Sequence, residues 1–158
     1  MSFKLVPETD KILLTEANEY VFKNTEESWD LATKMVNFMK TNNGVGLAAN
    51  QIGIPFKLFV LENDPPIACF NPNIVDVGDK EEYQEEGCLT YPGLFVKIKR
   101  PVSIKIRYQD ADGQWHTEKF TGLTARIIQH EMDYLNGIRF FDRATKYHRD
   151  KAFNKWRF

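Results

Sequence analysis

Residues 129–137, QHEMDYLNG, decide how this chain is read. His130 and Glu131 stand where an H-E-x-x-H helix places its first metal ligand and its general base. That pattern needs a second histidine at position 134, and the chain has Tyr134 there. The stretch ends in Asn136-Gly137, a helix stop.

Working outward, a helix is predicted from Thr124 to Leu135. At 100° per residue, Leu123, Ile127, His130, Glu131 and Tyr134 share one face, with Ile128, Met132 and Leu135 on the adjoining one. Only Arg126, Gln129 and Asp133 point elsewhere. A helix apolar over most of its circumference is buried, and a buried His-Glu pair needs a partner because unpaired buried charge is expensive. A cation would supply one.

Upstream, residues 24–43 predict an amphipathic helix capped by Asn24, with Glu27 completing a capping box and Asn43-Gly44 ending it. The glycine- and alanine-rich GVGLAANQIGIP follows. Strands are expected at KLFVL, at IACFNPNIVDV with its proline at a bulge or edge, at FVKIKR, and at VSIKIRY, where Val102, Ile104, Ile106 and Tyr108 alternate inward. Asp112-Gly113 signals a hairpin to QWHTEKF. The run DKEEYQEEG reads as a solvated acidic segment. Together these give an α+β fold: antiparallel β-sheets packed around the buried C-terminal helix, with a helix near the N-terminus.

A chain of 158 residues fits one domain. Formal net charge is −1, so no overall field draws it to DNA or anionic membrane. No apolar run approaches the ~20 residues of a membrane span, and the N-terminus lacks a signal-peptide core. The expected location is cytoplasmic. Of the two cysteines, Cys69 in IACFNP reads as core and Cys88 in EEGCLTYPG does not. Cys88 follows a glycine in a turn-rich acidic stretch, and a thiolate is a strong ligand for zinc or ferrous iron.

GVGLAANQ at 44–51, EGCLT at 86–90 and QHEMDYL at 129–135 stand in order along the chain. In these motifs the sequence resembles the peptide deformylases, metallohydrolases that remove the formyl group from the N-terminal methionine of nascent chains. The resemblance implies metal ligation by Cys88 and His130, with Tyr134 in the third ligand's place. Glu131 would be the general base for the metal-bound water, and would later protonate the leaving amine. The Gln51 amide and the Leu89 backbone N–H would stabilise the oxyanion, and Gly46 would let peptide backbone lie alongside. Gly44, Val45, Glu86 and Ile127 would contact substrate. The cofactor implied is one divalent metal, iron or zinc first and nickel or cobalt next. The substrate is an N-formylmethionyl peptide.

The sequence departs from the family pattern at several positions. Thr90 replaces the usual Ser and keeps a hydroxyl. Arg126 stands where many members have an apolar residue near the pocket, and Phe95 where some have arginine. Tyr134 matters most. One thiolate and two imidazoles leave a dication with net charge +1, which acidifies its water towards a pKa of ~7. A Tyr134 phenolate would cancel that charge, and it must first lose a proton whose reference pKa is ~10. Tyr134 ranks first as third ligand, a water second and His148 third, while His116 reads as a surface residue. A competing class is a protein that keeps the pocket and binds N-terminal peptides without turnover. Residues 1–142 are read as a single catalytic domain, and 143–158 as a basic tail or short helix that packs on the domain or makes a weak ribosome contact.

Overall fold

The computed structural model describes residues 2–156; Met1, Arg157 and Phe158, at the outer ends of the two segments just named, lie outside it. The first helix, α1, spans Thr25–Thr41, and the Asn24 side chain accepts from the Glu27 N–H at 2.8 Å. Ala32, Met35 and Met39 form its buried stripe. Strands β1 (Gly46–Ala48), β2 (Leu58–Leu61), β3 (Ile67–Val77), β6 (Ser103–Gln109) and β7 (Trp115–Thr121) make one antiparallel sheet in the order β1-β2-β3-β6-β7. Strands β4 (Glu81–Cys88) and β5 (Tyr91–Pro101) pair antiparallel as a second sheet. Helix α2 spans Gly122–Leu135 and α3 spans Lys146–Trp156. This is the expected α+β architecture.

Pro72 lies inside β3, an inner strand, where the β3–β6 register shifts between Phe70 and Asn73. A residue without an N–H is tolerated there because a bulge releases it from the ladder. The acidic run 79–87 departs from expectation. Most of it forms β4, solvated except at the buried Glu86, with Glu82 opposite Arg100 and Glu85 opposite Lys97. Opposite charges across the pair supply what the strand's own propensity lacks.

Helix α2 is the centre of the molecule. Ala125, Ile128, Met132 and Leu135 pack with Phe59, Leu61, Ile98 and Ile106 in one core. Each fully buried large side chain contributes roughly 1.5–3 kcal/mol. A second core lies under α1, around Met35, Leu58 and Phe70. Arg126, Gln129 and Asp133, which the helical projection turns away from the core face, are buried as well. Their side of α2 meets polar partners, described below, so that almost no face of the helix is left to solvent. Helix α3 docks through Ala152, Phe153 and Trp156, and the Trp156 indole N–H donates to the Pro92 carbonyl at 2.8 Å. Among the described residues, no helix is long and apolar enough to cross a membrane.

Candidate active site

Three elements converge on one point. Helix α2 brings His130, Glu131 and Tyr134. Strand β4 ends at Cys88, just past a register shift against β5. The short 3₁₀ turn Ala49–Ile52 brings Gln51. The Gln51 carbonyl oxygen accepts from the Ala48 N–H at 2.9 Å, which fixes the amide's orientation. Its NH₂ then donates to the Cys88 sulfur at 3.3 Å and to Thr90 Oγ1 at 3.0 Å. The hydroxyl that Thr90 retains is thus in use. Leu89 sits in the turn after Cys88 and lines the same cavity.

His130 Nδ1 is held by Glu86 Oε1 at 2.9 Å, leaving Nε2 for Cys88 or a cation. Glu86 also receives Arg100 Nε at 2.6 Å and Nη2 at 3.0 Å, and Arg126 Nη1 at 2.6 Å. Asp133 accepts from Arg100 at 2.9 Å and from Arg143. Burial alone would raise the Glu86 carboxyl, but the hydrogen bonds from His130 and Arg100 and the Arg100 charge hold it at about 2. Burial likewise pulls the His130 imidazolium down, yet hydrogen bonds with Cys88 and Glu86 lift it to about 10. In the protein alone, the ring therefore carries a proton that a bound cation must displace.

Glu131 is buried, with Oε1 unpartnered. Burial pushes its carboxyl up to about 7, against the opposing pull of His130. A Cβ at Gly46 would lie 2.5 Å from Glu131 Oε2 and 2.8 Å from Ile127 Cγ2. Only glycine lets the backbone of β1 approach the carboxylate this closely. At Gly44 a Cβ would meet the Leu89 side chain at 2.8 Å.

Between these groups lies a cavity of about 330 Å³. Gly44–Gly46 form one wall and Glu86–Leu89 the other, with Ile127, His130 and Glu131 at its base. Val45 and Leu123, both exposed, stand on its rim. Among the described residues, strand β1 pairs only with β2, and β4 only with β5. Two free strand edges therefore border one cavity, where an extended peptide can hydrogen-bond to backbone on both sides.

Tyr134 is fully buried, and its hydroxyl lies 2.9 Å from the Cys88 sulfur. Burial, reinforced by Cys88, raises the phenol well above its ordinary value. Among the described residues no group of three His, Cys, Asp or Glu side chains is placed to hold a metal, and the Tyr134 hydroxyl is the oxygen that stands beside the Cys88 sulfur. The donor chemistry fits a divalent cation: a thiol, the free nitrogen of an oriented imidazole, and a phenol, beside an unpartnered carboxylate oxygen. Sulfur and oxygen ligands on one tetrahedral ion stand ~3.5 Å apart at ordinary bond lengths. The observed 2.9 Å is a hydrogen bond, and ligation requires the phenol to lose its proton and draw back slightly.

The other candidates lie elsewhere. His116 pairs with Asp110 at 2.6 Å on β7, and His148 on α3 lines a separate cleft. Arg126 borders the cavity, but its guanidinium is committed to Glu86 and to the carbonyls of Ile98 and Glu82, so it offers substrate no free charge. Phe95 stands exposed at the mouth, with its ring against Gly87. Arg100 and Asp133 were not foreseen as parts of the site. They act through Glu86 and the helix, and nothing in their sequence surroundings marks them.

Residues 3–150 match the family model described as polypeptide deformylase. A peptide deformylase of Parasynechococcus marenigrum is 40% identical over 139 residues, covering 84% of this chain and 69% of that protein. One from Thermotoga petrophila is 42% identical over 113 residues, covering 71% and 69%. Among solved structures, the Synechococcus elongatus peptide deformylase in complex with actinonin superposes with a TM-score of 0.91 at 34% identity, over 99% of this chain and 86% of that one. The Thermotoga maritima enzyme gives 0.87 at 36% identity, over 92% and 99%. Motifs, fold and relatives agree over almost the whole sequence, and the chain belongs to the peptide deformylase family.

Proposed function

We propose that the protein hydrolyses the formyl amide of N-formylmethionyl peptides, with Glu131 as the proton carrier. The observation that carries this reading is the buried Glu131 carboxylate, one oxygen unpartnered, lining a cavity beside Cys88, whose sulfur the oriented Gln51 amide reaches. A peptide strand enters between β1 and β4, and its methionine side chain fills the cavity beside Val45 and Ile127. Glu131 accepts a proton from water as the water oxygen attacks the formyl carbon. The Gln51 NH₂ and the Leu89 N–H receive the oxygen that becomes negative. As the C–N bond breaks, Glu131 returns the proton to the departing nitrogen, leaving formate and a free N-terminal amine.

Cys88, His130 and Tyr134 are the residues that would hold a divalent cation, iron or zinc before nickel or cobalt. Such an ion supplies Lewis-acid polarisation and makes water a nucleophile at neutral pH. Two anionic ligands cancel the charge of a dication, so turnover is expected to be slow. The test is metal content and formate release from a formyl-Met peptide, wild type against Tyr134→His. The histidine variant should bind more metal and release formate faster. Formate release from neither protein would sink the hydrolase reading.

A second reading rests on the Tyr134–Cys88 hydrogen bond, which occupies both side chains without a metal. It makes the protein a binder of N-terminal peptides, recognised by peptide affinity without formate. The exposed cations of α3 support a weak, salt-sensitive ribosome contact, and a formylated substrate places the work in the compartment where such chains are made.

A further inference from the structure

We propose that a basic cleft beside the active-site cavity binds a carboxylate on the third or fourth residue of the peptide substrate, a preference that rests on the deformylase reading above. Lys97 of β5 faces His148, Lys151 and Lys155 of α3 across a cleft of about 260 Å³. Glu85 and Phe95 line both this cleft and the active-site cavity, so the two spaces share a wall. Glu85 is the only acid among the cleft's lining residues. Lys97 stands opposite Glu85 in the β4–β5 register, yet the two make no ion pair within 4.0 Å. Among the described residues, Lys151 and Lys155 make none either, whereas Lys146 on the same helix is paired with Asp150 at 2.6 Å. Lys151 instead lies over the Tyr147 ring at 5.9 Å. Three cations thus border a concave surface with one carboxylate among them.

The spacing selects the substrate position. Glu85 is three residues before Cys88 on β4, which at ~3.3 Å per residue is a distance of ~10 Å. A peptide extended along the free edge of β4, with its formyl group at Cys88, passes Glu85 with its third or fourth residue. Phe95 at the shared wall gives the second residue an apolar surface to cross. An aspartate or glutamate arriving beyond it enters the field of the three lysines. Pairs at an exposed site are individually weak, and three acting together favour an acid over a lysine by about tenfold. The preference should shrink as salt screens the cleft.

The experiment uses formyl-Met-Ala-X-X peptides with Asp, Ser or Lys at the third or fourth position, measuring kcat/KM by formate release. Affinity of the same peptides is measured in parallel by fluorescence anisotropy. The variants are Lys97→Ala, the double Lys151→Ala/Lys155→Ala, and Lys119→Ala on the distant β7 as a control. Expected are about tenfold higher kcat/KM and tighter binding for Asp over Lys in the wild type and control, falling towards unity in the cleft variants. Preferential binding of the acidic peptides without formate release would overturn the hydrolase reading and uphold the cleft. Formate release with equal kcat/KM and affinity for all peptides would overturn the cleft. So would a cleft that binds a short RNA duplex but does not discriminate among peptides.

Discussion

Glu86→Gln removes one negative charge from a buried carboxylate that accepts four hydrogen bonds. In the wild type it accepts from Arg100, Arg126 and His130, all buried with it. Its carboxyl is lowered from 4.5 to about 2, and at ~1.36 kcal/mol per unit that shift corresponds to about 3 kcal/mol of stability. Breaking a buried ion pair from one side gives ~3–5 kcal/mol independently. For a chain of this size ~2–4 °C is lost per kcal/mol, so Tm should fall by about 6–20 °C. The pH dependence carries a sign. Because the folded-state value lies below 4.5, the unfolded chain takes up the extra proton first as pH falls. The stabilisation is complete above about 4.5 and is lost on the way down to about 2. Thermal and urea unfolding of metal-free wild type and variant should therefore show a gap that is constant near neutrality and narrows in acid. A variant within about 2 °C of wild type, or a gap that stays constant through the acid range, would refute the reasoning.

Gly46→Ala places a methyl group 2.5 Å from Glu131 Oε2; displacing that carboxylate by ~1 Å should lower kcat/KM by roughly 10²-fold, while circular dichroism shows the fold retained. Glu131→Gln should raise the stability of the metal-free protein while reducing formate release by ~10²-fold or more. Its folded-state carboxyl is raised from 4.5 to about 7, so the wild type is penalised progressively as pH rises through that window, by about 3 kcal/mol above it. Urea unfolding should find the variant more stable at neutral pH and the two proteins equal near the ordinary carboxylate value; a less stable variant at neutral pH would contradict this.

Elements whose signals are local were legible in the sequence. The Asn24 cap, the Asn-Gly stops and the alternation of β6 each depend on residues a few positions apart, and each fell within a few residues of its expected place. Signals that need a partner from another element were not. The run 79–87 has five carboxylates and little strand propensity, and it is a strand because β5 presents Lys97, Lys99 and Arg100 to it. Arg126 and Asp133 looked outward on a helical projection, because a projection cannot know that Glu86 and Arg100 arrive from the other sheet. At the site, the motif letters pointed to Gln51, Cys88, His130 and Glu131, and the fold brings these four together. What they could not convey is that the Gln51 carbonyl is tied to Ala48, which decides the direction in which its NH₂ points.

Tyr134 stands outside the wall of the cavity. The peptide cavity is built from the close approach of Gly44 to Leu89 and of Gly46 to Glu131 and Ile127, and none of those contacts involves position 134. The imidazole is hydrogen-bonded to Glu86, while the Tyr134 ring packs edge-on against it at 5.6 Å. A tyrosine at this position is therefore expected to act on cation affinity and charge more than on the shape of the cavity. The helix can accommodate the larger ring because Tyr134 is buried with a hydrogen-bond partner at the Cys88 sulfur. Yet Glu131 keeps an unpartnered oxygen in a buried position, at a cost to stability that pocket shape alone does not require. A carboxylate held in that state is suited to exchanging a proton near neutrality, and this is why the hydrolytic reading is preferred to one of binding alone.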